Sequence, residues 1–212
     1  MKTVSVILAR GGSKSIPRKN IINIKGKPMI YYTINSSLQS KVDETYVCTD
    51  DIEIFNLSES FGAKCLIRPP ELATDNSPSE DSLLFFADQI DFDLLVFIQP
   101  TSPLLKYNYI NEGINYIIED FYDSVFSVSS EHWLPRWDKE MKPINWQTNK
   151  RPRRQDMDEC FIENGAFYIT KKENLLESKL RYSGRIGGVV MPYSESFQVD
   201  SYDDLAIIEK LI

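Results

Sequence analysis

Acidic residues are missing from the first 42 positions, where eight lysines and arginines stand without one Asp or Glu. The whole chain carries −7, so everything after Val42 carries −15. The acidic total argues against nucleic acid or an anionic membrane as partner, whereas a positive field confined to one region suits a small polyanion. Histidine and cysteine are scarce too. His132 is the one histidine, with no second to share a metal, and a structural or surface role is expected of it. Cys48, Cys65 and Cys160 are odd in number, far apart and without CxxC spacing; that excludes a disulfide framework and a zinc site and leaves small buried hydrophobes. No apolar run approaches the ~18 residues of a membrane helix. The apolar stretch behind Met1-Lys2 is too short for a signal peptide, so a cytoplasmic location is expected. GxxxxGK[ST] and GxGxxG are both absent, which removes the common nucleotide-hydrolase and dehydrogenase readings. With 42% apolar and 26% charged residues the composition is globular, and 212 residues suit a single domain over 1–212 with a sizeable core.

What is present alternates: apolar runs of strand length with amphipathic stretches of helical length, the βαβ pattern of a mainly parallel sheet. Strands are predicted at Thr3–Ala9, Thr45–Cys48, Ala63–Ile67, Asp93–Ile98, Ser124–Val128, Ala166–Ile169 and Gly188–Met191. The continuous run Asp93-Leu-Leu-Val-Phe-Ile98 predicts a strand buried on both faces. Helices are predicted at Pro28–Leu38, where Ile30, Ile34 and Leu38 share a face, at Ile52–Phe61, at Tyr109–Ile118 and from about Asp203 to Ile212. Another should open at Ser77-Pro-Ser-Glu80, with Ser77 as N-cap and proline at the first helical position. Around residues 129–160 three tryptophans and several prolines show no period, which predicts an arm or lid inserted in the domain.

In open α/β sheets ligands bind beyond the carboxyl ends of the strands. Behind the first strand stands Ala9-Arg-Gly-Gly-Ser-Lys-Ser-Ile-Pro-Arg-Lys-Asn20. Gly11 and Gly12 let backbone approach a phosphate closely, and Arg10, Lys14, Arg18 and Lys19 supply charge for its oxygens. This run closely resembles the nucleotide-binding signature of the N-acylneuraminate cytidylyltransferases. The resemblance continues in order through Cys48-Thr-Asp50, Arg68-Pro-Pro-Glu-Leu-Ala73, Gln99-Pro-Thr-Ser-Pro-Leu104, Arg151-Pro-Arg-Arg-Gln155, Asn164-Gly-Ala-Phe-Tyr168 and Val199-Asp-Ser201. Relatives that activate 3-deoxy-manno-octulosonate usually carry Arg-Leu-Pro-Gly-Lys in the first loop; this chain has Ser15-Ile-Pro-Arg-Lys-Asn20.

The resemblance implies a Rossmann-like three-layer α/β sandwich of the nucleotide-diphospho-sugar transferase type, with a small dimerisation arm. It implies transfer of CMP from CTP to the anomeric hydroxyl of an acidic nine-carbon sugar, with Mg²⁺ and in a homodimer. Ala9, Arg10, Gly11, Gly12, Ser13, Lys14, Lys19, Asn20 and Arg68 match nucleotide-binding positions, Asn20 and Arg68 near the cytosine. Gln99, Thr101, Ser102, Arg154, Asn164 and Tyr168 match the sugar side, with Arg154 on the carboxylate, where a planar fork surpasses an ammonium. Arg10, Lys14 and Asp200 are the residues expected to carry catalysis, Asp200 as metal ligand. Core packing is the competing reading for Tyr168, and capping of the last helix for Asp200. Many relatives carry Asp-Ile-Asp where this chain has Gln198-Val199-Asp200, so one carboxylate is lost there. A cytidylyltransferase for another sugar acid and a binding module without turnover remain as alternatives.

Overall fold

The computed structural model describes residues 1–131 and 134–212, and for Arg154 the backbone alone; the expectations for His132, Trp133 and the Arg154 side chain lie outside the described residues. The strands are β1 (Thr3–Leu8), β2 (Asn23–Ile24), β3 (Lys27–Pro28), β4 (Glu44–Thr49), β5 (Lys64–Ile67), β6 (Leu94–Ile98), β7 (Ser124–Glu131), β8 (Cys160–Lys171) and β9 (Ile186–Val190). The helices are α1 (Met29–Leu38), α2 (Ile52–Ser60), α3 (Ser79–Gln89), α4 (Tyr107–Ile118), α5 (Lys172–Ser178) and α6 (Tyr202–Leu211). Seven strands form one sheet in the order β5-β4-β1-β6-β8-β7-β9, and only β8 runs against its neighbours. The mainly parallel sheet is therefore as expected.

Side-chain alternation explains the layers. Along β6, Leu94, Val96 and Ile98 enter one core with Ile30 and Ile34 of α1 and Ile110 and Ile114 of α4. Leu95 and Phe97 enter the other, with Leu83 and Phe86 of α3 and Leu175 of α5. A third cluster, Ile16, Ile24, Met29, Val199 and Ile208, anchors the basic loop beside α6. The strand read as buried on both faces is so: every β6 residue is buried.

Some expectations change. Helix α3 starts at Ser79, because Pro78 has extended backbone (ψ 147°) and takes the cap position without a side-chain cap. Ser77 is used earlier, donating to the Glu71 carbonyl at 2.7 Å and meeting Thr74 Oγ1 at 2.6 Å. Of the cysteines only Cys48 is buried; Cys65 is intermediate, and Cys160 is exposed at the start of β8. The β2–β3 hairpin has no counterpart in the sequence reading; it turns at Lys25 and Gly26, both at positive φ (50° and 84°), the geometry of a tight hairpin. No helix among the described residues is long and apolar enough to cross a membrane.

Truncating Ile98, fully buried at the centre of the sheet, should cost about 2–5 kcal/mol as Ile98→Ala. The check is the urea midpoint at constant m-value; a loss below about 1 kcal/mol would place the core's weight elsewhere.

Candidate active-site cleft

Strands β1, β4 and β6 deliver their carboxyl ends to one edge, and antiparallel β8 brings the Asn164 end of its run to the same edge. The cleft there has a volume of about 460 Å³ and is walled by the basic loop, the segment before α3, and Gln99 to Thr101. Of the expected nucleotide residues, Arg10, Gly12, Ser13, Lys14, Lys19, Asn20 and Arg68 line it.

Ala9 and Gly11 do not. Ala9 is fully buried, its N–H donating to the Cys48 carbonyl at 3.1 Å, which continues the sheet. Gly11 donates its N–H to Asp50 Oδ1 at 3.0 Å, and a Cβ there would fall 2.5 Å from Asp51 Oδ2. Its smallness answers to that carboxylate, while Gly12 has open space around it. Asn20 is buried and donates to the Arg10 carbonyl at 2.9 Å, holding the loop backbone from below. Arg18 turns away: in left-handed backbone (φ 56°), it grips Asp51, which also caps α2, and Glu53 at 2.5 Å.

Arg68 is 5% exposed. Burial pushes its guanidinium below the ordinary arginine range. One arm donates to Ser82 Oγ at 3.0 Å and the other stands 4.0 Å from Asp50 Oδ1, while its buried Nε has no hydrogen-bond partner among the described residues.

The two outer cations share an acid that the sequence reading did not single out. Asp75 meets Arg10 at 2.7 Å and Lys14 at 2.9 Å. Nothing in its local sequence marks it; the path of the chain before α3 brings it to the loop.

Of the residues expected on the sugar side, Gln99 and Thr101 line the cleft, and Ser102 is buried. Gln198 Nε2 lies 2.7 Å from the Asn164 carbonyl and 3.3 Å from both Gln99 Oε1 and Ser102 Oγ, so it ties the β6 loop to β8. Gly165, at φ +73°, makes room: a Cβ would fall 2.6 Å from that nitrogen. The Asn164 amide serves the sheet, donating to Ser129 Oγ at 3.1 Å and accepting from the Ala166 N–H at 3.2 Å. Tyr168 is buried in the core beneath the cleft, stacked on Phe97 at 5.7 Å, with its hydroxyl donating to Glu163. Burial first, then that carboxylate, raises its phenol above the ordinary range. These surroundings match the packing reading.

Asp200 does not cap α6. Ser201 does, accepting from the Asp204 N–H at 3.2 Å while Asp204 accepts from the Ser201 N–H in a capping box. The Asp200 carboxylate, 70% exposed, is left to meet Lys19 Nζ at 3.0 Å. Among the described residues no three His, Cys, Asp or Glu side chains gather into a metal site. Asp200 itself does not line the cleft but adjoins it through Lys19, which does; a lone accessible carboxylate so placed fits Mg²⁺, which keeps waters and takes one or two protein carboxylates with substrate phosphates. No described arm residue lines the cleft of its own chain. Arg151 instead stacks over Trp146 at 5.6 Å, beside a separate depression that Arg153 also lines.

Residues 4–202 match a family described as cytidylyltransferase. The chain is 37% identical over 98% of its length to N-acylneuraminate cytidylyltransferase B of Danio rerio, and 33% identical over 96% to the N-acylneuraminate cytidylyltransferase of Streptococcus agalactiae. It covers 51% and 52% of those proteins, about half their length. It is 35% identical over its whole length to CMP-N,N'-diacetyllegionaminic acid synthase of Legionella pneumophila, of which it covers 97%. Among solved structures, a CMP:2-keto-3-deoxy-manno-octonic acid synthetase complexed with CTP superposes with a TM-score of 0.76 at 20% identity, covering 100% of this chain and 98% of that one. The 4-diphosphocytidyl-2C-methyl-D-erythritol synthase of Anaerococcus prevotii gives 0.68 at 14% identity, covering 99% and 97%. At such identities the likeness is one of fold, and it matches the Rossmann-like sandwich expected.

Because a Cβ at position 11 would press on Asp51, Gly11→Ala should destabilise the chain by about 1–3 kcal/mol, in the range of overpacking. Thermal unfolding of the purified variant checks this, and an unchanged midpoint would show that Asp51 yields without cost.

Proposed function

This chain belongs to the cytidylyltransferase family, alongside the N-acylneuraminate enzymes, and we propose that it transfers CMP from CTP to the anomeric hydroxyl of a nonulosonic acid. The observation that carries the reading is the collection of Arg10, Lys14, Lys19 and Arg68 around one cleft at the carboxyl edge of the sheet. The hydroxyl oxygen attacks the α-phosphorus, the bond to the β-phosphate oxygen breaks, pyrophosphate leaves, and the hydroxyl proton passes to solvent. Anionic phosphate oxygens repel that nucleophile until cations screen them. Arg10 and Lys14 supply the screening from the loop and Lys19 from the Asp200 side, while Arg68 serves the cytosine end of the nucleotide. Mg²⁺, held by Asp200 and the substrate phosphates, would add further neutralisation when bound. Gln99 and Thr101 offer neutral hydrogen bonds to the acceptor. The near full-length match to a legionaminate synthase favours an acceptor of the N-acylated nine-carbon type.

The arm belongs to the same proposal. Leu134, Met141 and Ile144 are each more than 60% exposed, an apolar surface suited to a second copy of the chain. Family resemblance suggests that the arm reaches across a two-fold dimer, and on that reading Arg154 serves the acceptor site of the partner subunit.

Pyrophosphate release with CTP and a panel of sugar acids tests the activity; CTP binding without release would leave only a binding module. In the same assay Lys14→Ala should lower turnover about 100- to 1,000-fold, the usual cost of one preorganised charge. Asp200→Asn should nearly abolish turnover with the fold intact, since the cap lies on Ser201, and Gln198→Ala should be milder. Small, equal losses in these last two would remove Asp200 as metal ligand.

Mixing inactive Arg154→Ala and Asp200→Asn chains tests the dimer. Random exchange should restore about a quarter of wild-type activity, as half the dimers are mixed and each has one intact site. No recovery on mixing, or a monomer mass by light scattering, would refute service in trans.

A further inference from the structure

The basic loop is already neutralised where a triphosphate would lie. One oxygen of Asp75 takes Arg10 and the other takes Lys14, so a single carboxylate bridges the two cations much as a phosphate would. The other cations of the loop are engaged differently. Arg18 is held by Asp51, which is also fixed as the cap of α2, and Lys19 is bound to both the Val199 carbonyl and Asp200. The Asp75 pairs are of the exchangeable sort: its side chain is 37% exposed and that of Lys14 80%, and solvent-exposed ion pairs are weak. The Lys14 ammonium, with Arg10, holds the Asp75 carboxyl below the usual range, so it is charged at neutral pH.

Asp75 sits on a braced segment. Thr74 and Ser77 close it through their hydroxyls, Ser77 holds the Glu71 carbonyl, and Ser77, Pro78 and Ser79 line the cleft. We infer that Asp75 is a specificity-determining charge gate: its carboxylate occupies the phosphate cations of the empty cleft, yields to a polyphosphate, and returns when pyrophosphate leaves. A triphosphate or pyrophosphate brings several charges to two cations and outcompetes one carboxylate. A monophosphate brings fewer and leaves the bridge in place. The cleft thereby favours CTP over CMP, and reclosure opposes rebinding of pyrophosphate.

The inference rests on the reading that Arg10 and Lys14 hold the phosphates, and the test separates the two. Titration calorimetry of the full chain with pyrophosphate, CTP and CMP is run at fixed Mg²⁺ and ionic strength. Asp75→Asn, which keeps shape and loses charge, should bind pyrophosphate and CTP about three- to tenfold more tightly, the range of one or two exposed ion pairs. Its affinity for CMP should not change. Asp75→Glu restores the carboxylate and should stay close to wild type. Unchanged or weaker pyrophosphate binding by Asp75→Asn, while Lys14→Ala weakens it, would overturn the gate and leave the phosphate site standing. No loss of pyrophosphate binding in Lys14→Ala would overturn both.

Discussion

A cleft that attracts a polyanion has to hold like charges close together before the polyanion arrives, and in this chain those charges repel one another within one acid-free segment. The fold relieves the repulsion by bringing an acid from elsewhere to each of them. Arg10 and Lys14 meet Asp75, Arg18 meets Asp51 and Glu53, and Lys19 meets Asp200. All of these acids lie beyond the acid-free segment, and Asp200 is 181 residues from its partner. Charge segregated along the chain becomes charge paired in space, and the loop acquires its shape only when β4, the segment before α3, and the start of α6 are in place. Individually such exposed pairs are weak; their value is positional.

That positional demand falls on the sheet. The central strands are apolar on both faces and clamped between two cores, so their carboxyl ends are rigid points from which short loops project. Asn20 under the Arg10 carbonyl and Gln198 across Gln99 and Asn164 extend that rigidity into polar surroundings. The cleft is thus firm under the basic loop and along the Gln99 wall. Its solvent-exposed ion pairs lie at the rim, on Asp75 and Asp200.

Much of this was legible in the sequence because hydrophobic periodicity records layers directly. The apolar run Asp93–Ile98, of strand length and stopped by the prolines behind it, favours a strand with both faces covered, and the basic loop behind Thr3–Leu8 stands at the cleft. Features set by distant parts of the chain were not legible. Two-residue strands such as β2 and β3 carry no period, and the reversed direction of β8 is a matter of connection rather than composition. Asp75 is one acid among many until the chain folds it against Arg10. Ser201 and Asp200 are adjacent candidates for one cap, and only the bond to the Asp204 N–H separates a structural serine from an aspartate free for other work. Gly11 was read as room for phosphate, yet the room is taken by Asp51.

The break in β8 has a consequence for how such chains diversify. From Tyr168 to Thr170 the strand pairs with both β6 and β7, whereas from Cys160 to Glu163 it pairs with β7 alone, and the register shifts between Phe126 and Val128. Gly165 sits at that discontinuity. A bulge absorbs a change of count without passing it on, so residues gained or lost in the arm leave the pairing of Phe126 with Tyr168 undisturbed. Arm length is thereby uncoupled from the geometry of the sheet, and the exposed apolar surface of the arm can vary while the edge that holds the cleft stays in register.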